Sequence, residues 1–347
     1  MQVGKALREG IKEQWPQAEI KIAPLADGGD GFSEVMSHYL SLEKKTTQTV
    51  DALFRSIPAY WHWQASTRTA YLEVSAANAL VQLEKEKQNP ELSSSYGTGL
   101  LIKTAIEAGA EHIVLGLGGS ATNDAGMGIL TALGFTLLNK AGLKVNPIGK
   151  NLSQITRILP PPVLPDIQFT IAADVENPFY GPNGAAHIFA PQKGADAGMV
   201  KRLDAGMENI AAVLSAAYGK DIQKIPSLGA AGGIAAGLLP YFPLKIETGI
   251  NIVLEAANLS ELIQKANCVI TGEGKLDAQS LQGKLVGRVA QLAESFQKKC
   301  IVVCGINELK KEEAAKLRVK HVLALVDRAG SVTESQKNAA QLLKEMA

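Results

Sequence analysis

The sequence predicts an α/β protein of two α/β domains: a parallel-sheet domain made from both chain ends, with the middle of the chain inserted as the second. Three observations predict it. Apolar strand-like runs alternate with helical patterns after Ser95 and again after Asn267, the rhythm of strand-and-helix layers. Between Thr46 and Val74 short β-rich segments follow one another with no helix between them. And 347 residues, 46% of them apolar, exceed what one hydrophobic core usually organises.

Taken in order, residues 1–14 carry Val3, Ala6, Leu7 and Ile11 at helical spacing, so the chain opens on a helix, and 18–23 reads as the strand after it. A glycine turn at 24–31 opens a helix over 32–40. Residues 46–50, 57–63 and 70–74 read as a hairpin or meander. Helix 95–108, strand 112–117, helix 124–133, a short strand at 135–138 and strand 167–172 follow, interrupted by the proline-rich loop 159–165. Helices dominate from 197 to 264; the first, over 196–218, carries its charges on one face and reads as a solvated helix. The run Gly229-Ala230-Ala231-Gly232-Gly233 reads as a flexible break. The chain then alternates strand 267–271, helix 283–295, strand 300–304, helix 309–317, strand 320–325 and helix 334–346.

Charge and cysteine usage exclude several function classes. Thirty-five Lys and Arg stand against 34 Asp and Glu, so no global field draws nucleic acid or an anionic membrane, and any anion must be held locally. Charged and apolar positions alternate through the first sixteen residues, unlike the apolar core of a signal peptide. The longest uncharged run, 228–244, is too short to span a bilayer and is broken by glycines and prolines. Cys268, Cys300 and Cys304 make no CxxC pair, which speaks against a disulfide framework or a zinc site and for the reducing cytoplasm. A soluble cytoplasmic protein is expected; a homodimer stays open.

Four glycine-rich, carboxylate-bearing loops follow four of the expected strands. The first, 24–31, holds Asp27 and Asp30, either of which could bind Mg²⁺ or orient a hydroxyl; as a bare pattern it equally describes a glycine turn capping a helix. The second follows strand 112–117: Gly116, Gly118 and Gly119 leave backbone N–H groups free to face an anion, with Ser120, Thr122, Asn123 and Asp124 before the next helix. Its glycine spacing also fits the permissive dinucleotide fingerprint, but the acid expected about twenty residues on is absent, which counts against a nicotinamide dehydrogenase. The third, 271–277, offers Gly272, Glu273, Lys275 and Asp277, with Lys284 beyond; no Walker motif is present. The fourth, 173–186, begins with Asp174, a candidate general base, and is followed by Lys193. The five histidines lie apart without metal spacing. Phosphoryl transfer suits such loops, because it needs N–H groups and lysines on phosphate, carboxylates on Mg²⁺ and an acceptor for a hydroxyl proton. On that chemistry Asp174, Asp124 and Asp27 are the candidate catalytic residues, with Asp27 and Asp124 also the candidate metal ligands. Gly118, Gly119, Ser120, Thr122, Asn123, Lys193, Gly272, Glu273, Lys275 and Lys284 are the candidate phosphate and nucleotide contacts, and Asp30 and Asp277 the candidate substrate contacts. Replacing Asp124 by Ala is expected to cut turnover with little change in melting temperature.

The motifs ADGGDG at 26–31, GLGGSATNDAGMG at 116–128, ADVENPFYGPNGAA at 173–186, APQKGA at 190–195, GAAGG at 229–233 and TGEGKLDAQSLQGK at 271–284 come in one order and cover nearly the whole chain. In them the sequence resembles the bacterial glycerate kinase family that forms 2-phosphoglycerate. The resemblance implies ATP- and Mg²⁺-dependent phosphorylation of D-glycerate, and a flavodoxin-like (Rossmann-type) domain of residues 1–45 plus 260–347 beside an inserted α/β domain of 46–259. Family members also begin with a further strand and a Pro-Asp-Ser-Phe-Lys loop ahead of the helix on which this chain opens. Two other readings stand beside it: a non-catalytic small hydroxy-acid-binding protein and an NAD-dependent hydroxy-acid dehydrogenase.

Overall fold

The computed structural model describes residues 2–278, 280–282 and 285–347. The chain is α/β and divides into two compact units, Met1–Leu25 with Val253–Ala347, and Ala26–Ile252. It opens on α1 (Gln2–Gln14), as its apolar spacing requires. Residues 18–23, expected as a strand, have alternating exposure but no ladder partner among the described residues. Alternation alone does not make a strand without a neighbour to complete its hydrogen bonds.

In the Ala26–Ile252 unit, α2 (Phe32–Tyr39) leads into the meander β1 (Glu43–Val50), β2 (Ser56–Gln64) and β3 (Thr69–Glu73). Next come α3 (Val74–Asn78), α4 (Tyr96–Glu107), β4 (His112–Gly116), α5 (Met127–Ala132) and the two-stranded arm β5 (Thr136–Leu138) with β6 (Arg157–Leu159). The unit continues through β7 (Gln168–Ala172), α6 (Ala185–Phe189), α7 (Ala197–Tyr218), α8 (Ile234–Leu238) and β8 (Leu244–Glu247). Its main sheet runs β1-β2-β3-β4-β7-β8, antiparallel through the meander and parallel from β3 to β8. β3 is buried along its whole length, as a strand covered on both faces must be. Trp61, Leu72, Leu115 and Phe169 of the sheet share one core with Leu101 of α4 and Met127 of α5. α7 starts where the Asp196 carboxylate accepts from the Met199 N–H at 2.8 Å and stops at Gly219, whose φ of 75° ends the helix.

Three expectations change here. The helix foreseen over 124–133 begins only at Met127, because Ala125 and Gly126 are left-handed, at φ 55° and 70°. The run 229–233, read as flexible, is buried except for the half-buried Ala231 and is pressed onto its neighbours: a Cβ on Gly232 would lie 2.2 Å from the Thr122 carbonyl oxygen, and Gly232 O accepts from the Ala125 N–H at 2.9 Å. β8, four residues between prolines and a helix, is too short to announce itself and forms because β7 offers it a parallel edge.

α9 (Gly249–Ala256) begins in the Ala26–Ile252 unit and ends in the other, where α10 (Leu259–Lys265) leads to a parallel sheet ordered β11-β10-β9. Its elements are β9 (Cys268–Leu276), α11 (Leu285–Ser295), β10 (Lys299–Asn307), α12 (Lys311–Ala314), β11 (His321–Ala324), α13 (Leu325–Ala329), α14 (Val332–Lys337) and α15 (Ala339–Met346). α1 packs on α15 at Gly10, where a Cβ would meet the Lys344 carbonyl oxygen at 2.2 Å. The third glycine-rich loop, 271–277, is mostly strand: β9 runs on through Leu276, paired with β10 from Cys268 to the end. Gly272 there serves strand approach, since a Cβ would lie 2.1 Å from Val303 O. β9 is an edge strand among the described residues, so Cys268 is exposed rather than buried.

Candidate active site

The carboxyl ends of the parallel strands lie level: Glu73 is opposite Gly116, Gly116 opposite Ala172, and Ala172 opposite Glu247. In open α/β sheets this edge receives ligands. Here the loops after all four strands gather on it, and the 27–31 turn is folded in among them.

Glycine makes that gathering possible. The Gly118 N–H donates to Gly28 O at 3.1 Å, and a Cβ on Gly118 would sit 2.3 Å from the Gly29 Cα. On Gly116 it would lie 2.8 Å from Gly28 O, and on Gly249 2.3 Å from Gly28 N. The 27–31 turn is thus held between the loop after β4 and the loop after β8. Three carboxylates come with it. Asp27 is exposed, accepting from the Gly29 N–H at 3.4 Å. Asp30, also exposed, lies against Gly119, where a Cβ would be 2.3 Å from its Oδ1. Asp174 is half-buried; its Oδ2 accepts from the Gly249 N–H at 3.2 Å and lies 3.3 Å from where a Gly28 Cβ would be.

The other polar residues of the loop after β4 are buried. Its backbone runs beside 78–80: the Leu80 N–H donates to Gly119 O at 2.8 Å and the Ala121 N–H to Asn78 O at 2.9 Å. Lys193 is 2% exposed and donates from Nζ to Ser120 Oγ at 3.1 Å and Thr122 O at 2.7 Å. Burial pushes its ammonium down to about 7, against the opposing pull of Asp124. Thr122 Oγ1 donates to Ala231 O at 3.4 Å, and Asn123 Nδ2 meets Met207 Sδ at 3.2 Å.

Asp124 is fully enclosed, at 0% exposure. Its Oδ2 accepts from the Ser95 N–H and Oγ–H at 2.7 and 2.8 Å, the Gly128 N–H at 3.1 Å and the Ser94 Oγ–H at 3.3 Å, while Oδ1 accepts from the Gly126 N–H at 3.2 Å. Burial raises its pKa, and the hydrogen bonds oppose that. A carboxylate so enclosed organises the start of α5 and the Ser94–Ser95 bend. A magnesium ion shared by Asp27 and Asp124 does not fit this arrangement, because Asp124 presents no oxygen to it.

Glu73 carries no signal in the sequence beyond being an acid at the end of an apolar strand. It is 3% exposed; its Oε1 accepts from the Ser33 N–H at 2.5 Å and its Oε2 from the Gly31 N–H at 3.0 Å and the Ser75 Oγ–H at 3.2 Å. Its backbone partners lie some forty residues away in sequence, and nothing local shows them.

The remaining candidates lie in the other unit. Glu273 and Lys275 are on β9 and Asp277 just beyond it, and Lys275 Nζ pairs with Glu308 Oε2 at 2.8 Å. Lys284 lies outside the described residues.

Fold and site together define an α/β protein whose parallel-sheet edge carries glycine turns and carboxylates suited to an anionic ligand. The comparisons with known proteins narrow that class. The glycerate kinase family matches residues 1–347. The glycerate kinase of Halalkalibacterium halodurans is 35% identical over 350 residues, covering 100% of this chain and 92% of that protein. Glycerate 2-kinase of Escherichia coli is 38% identical over 307 residues, covering 88% and 81%. A solved structure from Salmonella typhimurium LT2, provisionally designated glycerate kinase 2, superposes with a TM-score of 0.80 at 31% identity and covers 99% of this chain and 93% of its own. This chain belongs to the glycerate kinase family, and it is a kinase by class.

Proposed function

We propose that the chain transfers the γ-phosphoryl group of Mg–ATP to D-glycerate, giving 2-phosphoglycerate and ADP. The observation that carries this reading is the meeting of the 27–31 and 116–120 turns at the carboxyl edge of one parallel sheet, with Asp27, Asp30 and Asp174 around them. Phosphoryl transfer asks the protein mainly for position and charge. The 118–120 turn offers the backbone N–H groups of Gly119 and Ser120 to a phosphate, that of Gly118 being taken by Gly28 O, and Lys193 Nζ braces the loop from the buried side through Ser120 Oγ and Thr122 O. Asp30 and Asp27 orient the small acid, and Asp174 accepts the proton of the hydroxyl that attacks phosphorus. Mg²⁺ arrives with the nucleotide as part of the substrate. On the other unit Glu273, Lys275, Lys284 and Asp277 stay candidate ligand contacts by residue type alone, and Lys275 has to leave Glu308 to meet a phosphate. The protein acts in the cytoplasm, whose reducing conditions suit the free thiols of Cys268, Cys300 and Cys304.

The test is ADP release by the purified chain with D-glycerate, ATP and Mg²⁺, with the product resolved by phosphorus NMR. Formation of 2-phosphoglycerate supports the reading. The 3-phosphate alone would overturn the regiochemistry. Glycerate binding without ADP release would point instead to a binding protein, and glycerate-dependent reduction of NAD to a dehydrogenase.

A further inference from the structure

We infer that Glu73 is a positioning residue for the reaction, holding the carboxylate-bearing 27–31 turn in place through the start of α2. The inference rests on the phosphoryl-transfer reading of that turn.

A helix leaves its first N–H groups without intrahelical partners. At α2 the capping position is Gly31, in the left-handed region at φ 83°, and it has no side chain to cap with. Glu73 supplies the missing acceptors from the end of β3, taking the Gly31 N–H on Oε2 and the Ser33 N–H on Oε1. Its negative charge also faces the positive end of the helix. A further tie lies beside the first: Ser33 Oγ is 3.1 Å from Nδ1 of the buried His62 on β2. Asp30 sits between Gly29 and Gly31, so whatever fixes Gly31 and Ser33 fixes the direction of Asp30 over Gly119. The third bond of Glu73 comes from Ser75, whose Cβ would lie 3.2 Å from a Cβ on Gly119. One buried carboxylate therefore reaches beneath both glycine turns without itself facing solvent.

The chemistry demands a carboxylate and not only a group of its size. Both oxygens of Glu73 receive N–H donors, so a glutamine, flipped either way, sets its own NH₂ against a backbone N–H. Losing a hydrogen bond to a charged group and leaving a buried donor unmatched predicts a fall in kcat/KM for glycerate of roughly 10- to 100-fold in Glu73→Gln. KM for ATP should stay within about threefold, because the perturbed turn is the one assigned to the acid substrate.

The deciding experiment has two arms. In a double-mutant cycle with Asp30→Asn, Glu73→Gln should cost less than about threefold in the Asp30→Asn background, since both act through one turn. Full additivity would overturn the inference. Independently of catalysis, backbone hydrogen exchange of the 28–36 segment should accelerate at least about tenfold in Glu73→Gln, with β3 and β4 still protected. Unchanged exchange there would overturn it too. If the wild-type chain turns over no glycerate, the functional reading fails while the exchange arm still decides whether Glu73 holds the turn. Should Glu73→Gln not fold, Ser75→Ala, which removes only the Ser75 hydroxyl, carries the same exchange test with a smaller acceleration expected. Glu294→Gln, which breaks an exposed pair with Arg318 far along the sequence from the 28–36 segment, is the control and should match wild type in both arms.

Discussion

Substituting Gly118 by Ala tests whether the two glycine turns form the working site. Gly118 is not in the left-handed region, so the substitution costs space and not backbone strain. The added Cβ would lie 2.3 Å from the Gly29 Cα and 3.1 Å from Gly29 N, both backbone atoms. Ordinary contact begins at 3.4 Å, so the turns must separate by about 1 Å, the scale of misplacement that costs roughly 10²-fold in catalysis. The 27–31 turn has little room to retreat, because Gly249 already meets Gly28 from the loop after β8. Overpacking of this kind costs about 1–3 kcal/mol, and each kcal/mol lowers the melting temperature of a unit this size by about 2–4 °C. Gly118→Ala should therefore keep the protein folded at 25 °C while kcat/KM for glycerate falls by roughly two orders of magnitude. The assay is steady-state ADP release beside a thermal melt. A kcat/KM within threefold of wild type, with the melt shifted as expected, would show that the chemistry does not depend on the apposition of the two turns.

Asp174→Asn retains an oxygen for the Gly249 N–H but removes the proposed base, so kcat should fall by about 10²–10⁴ with little change in melting temperature; a loss under tenfold would remove Asp174 from the chemistry. Asp124→Asn should act in the other sense. With an NH₂ among the donors that now converge on the carboxylate, it should destabilise the fold by about 3 kcal/mol, and a melting temperature within a degree or two of wild type would refute the structural role argued for it. Lys193 sets a pH dependence of stability. Its pKa is about 7 in the folded state against 10.5 for a free lysine, so between those values the unfolded chain binds more protons and the group's contribution to stability rises with pH. The melting temperature of wild type relative to Lys193→Met should therefore increase from pH 7 to pH 9; a flat difference would mean Lys193 stays charged when folded.

The fold was legible where its signals are local. Apolar spacing marked α1 and α7, and β-rich runs separated by turns marked the meander. Residues 18–23 and β9 depart from their sequence patterns for a shared reason: whether a segment is a strand depends on the neighbour it meets. Residues 18–23 alternate without a ladder partner among the described residues, whereas 272–276 of β9 has the pattern of a glycine turn until β10 comes close enough to need Gly272. Among the candidate site residues, Asp27, Asp30 and Asp174 could be picked out because an acid beside a glycine turn at a strand end is a local pattern. Glu73 could not, since its meaning lies in two N–H groups some forty residues upstream.

The same contrast bears on how the ordered motifs of this chain are to be understood. In the Ala26–Ile252 unit they form one contact network: Gly28 and Gly29 of the 26–31 motif meet Gly116 and Gly118 of the 116–128 motif, Lys193 reaches Ser120 and Thr122, and Gly232 rests on Thr122 and Asn123. Many of their glycines are there because a Cβ would strike backbone, as at Gly128, where it would lie 2.3 Å from Tyr96 N. A match to these motifs therefore detects a packing arrangement as much as a reaction, and the pattern alone cannot separate the two. Exposure can. Asp124 sits in the longest glycine-rich motif of that unit's β4 edge and is the most deeply enclosed of the candidate carboxylates, with every observed partner a donor from the protein itself. Asp27 and Asp30 sit in the short 26–31 motif and face outward. Chemistry on a small acid needs carboxylates that solvent, and hence substrate, can reach, so exposure favours Asp27, Asp30 and Asp174 over Asp124 for the proposed catalytic roles and leaves Asp124, like Glu73, a buried acid bonded to the backbone of the loops around it.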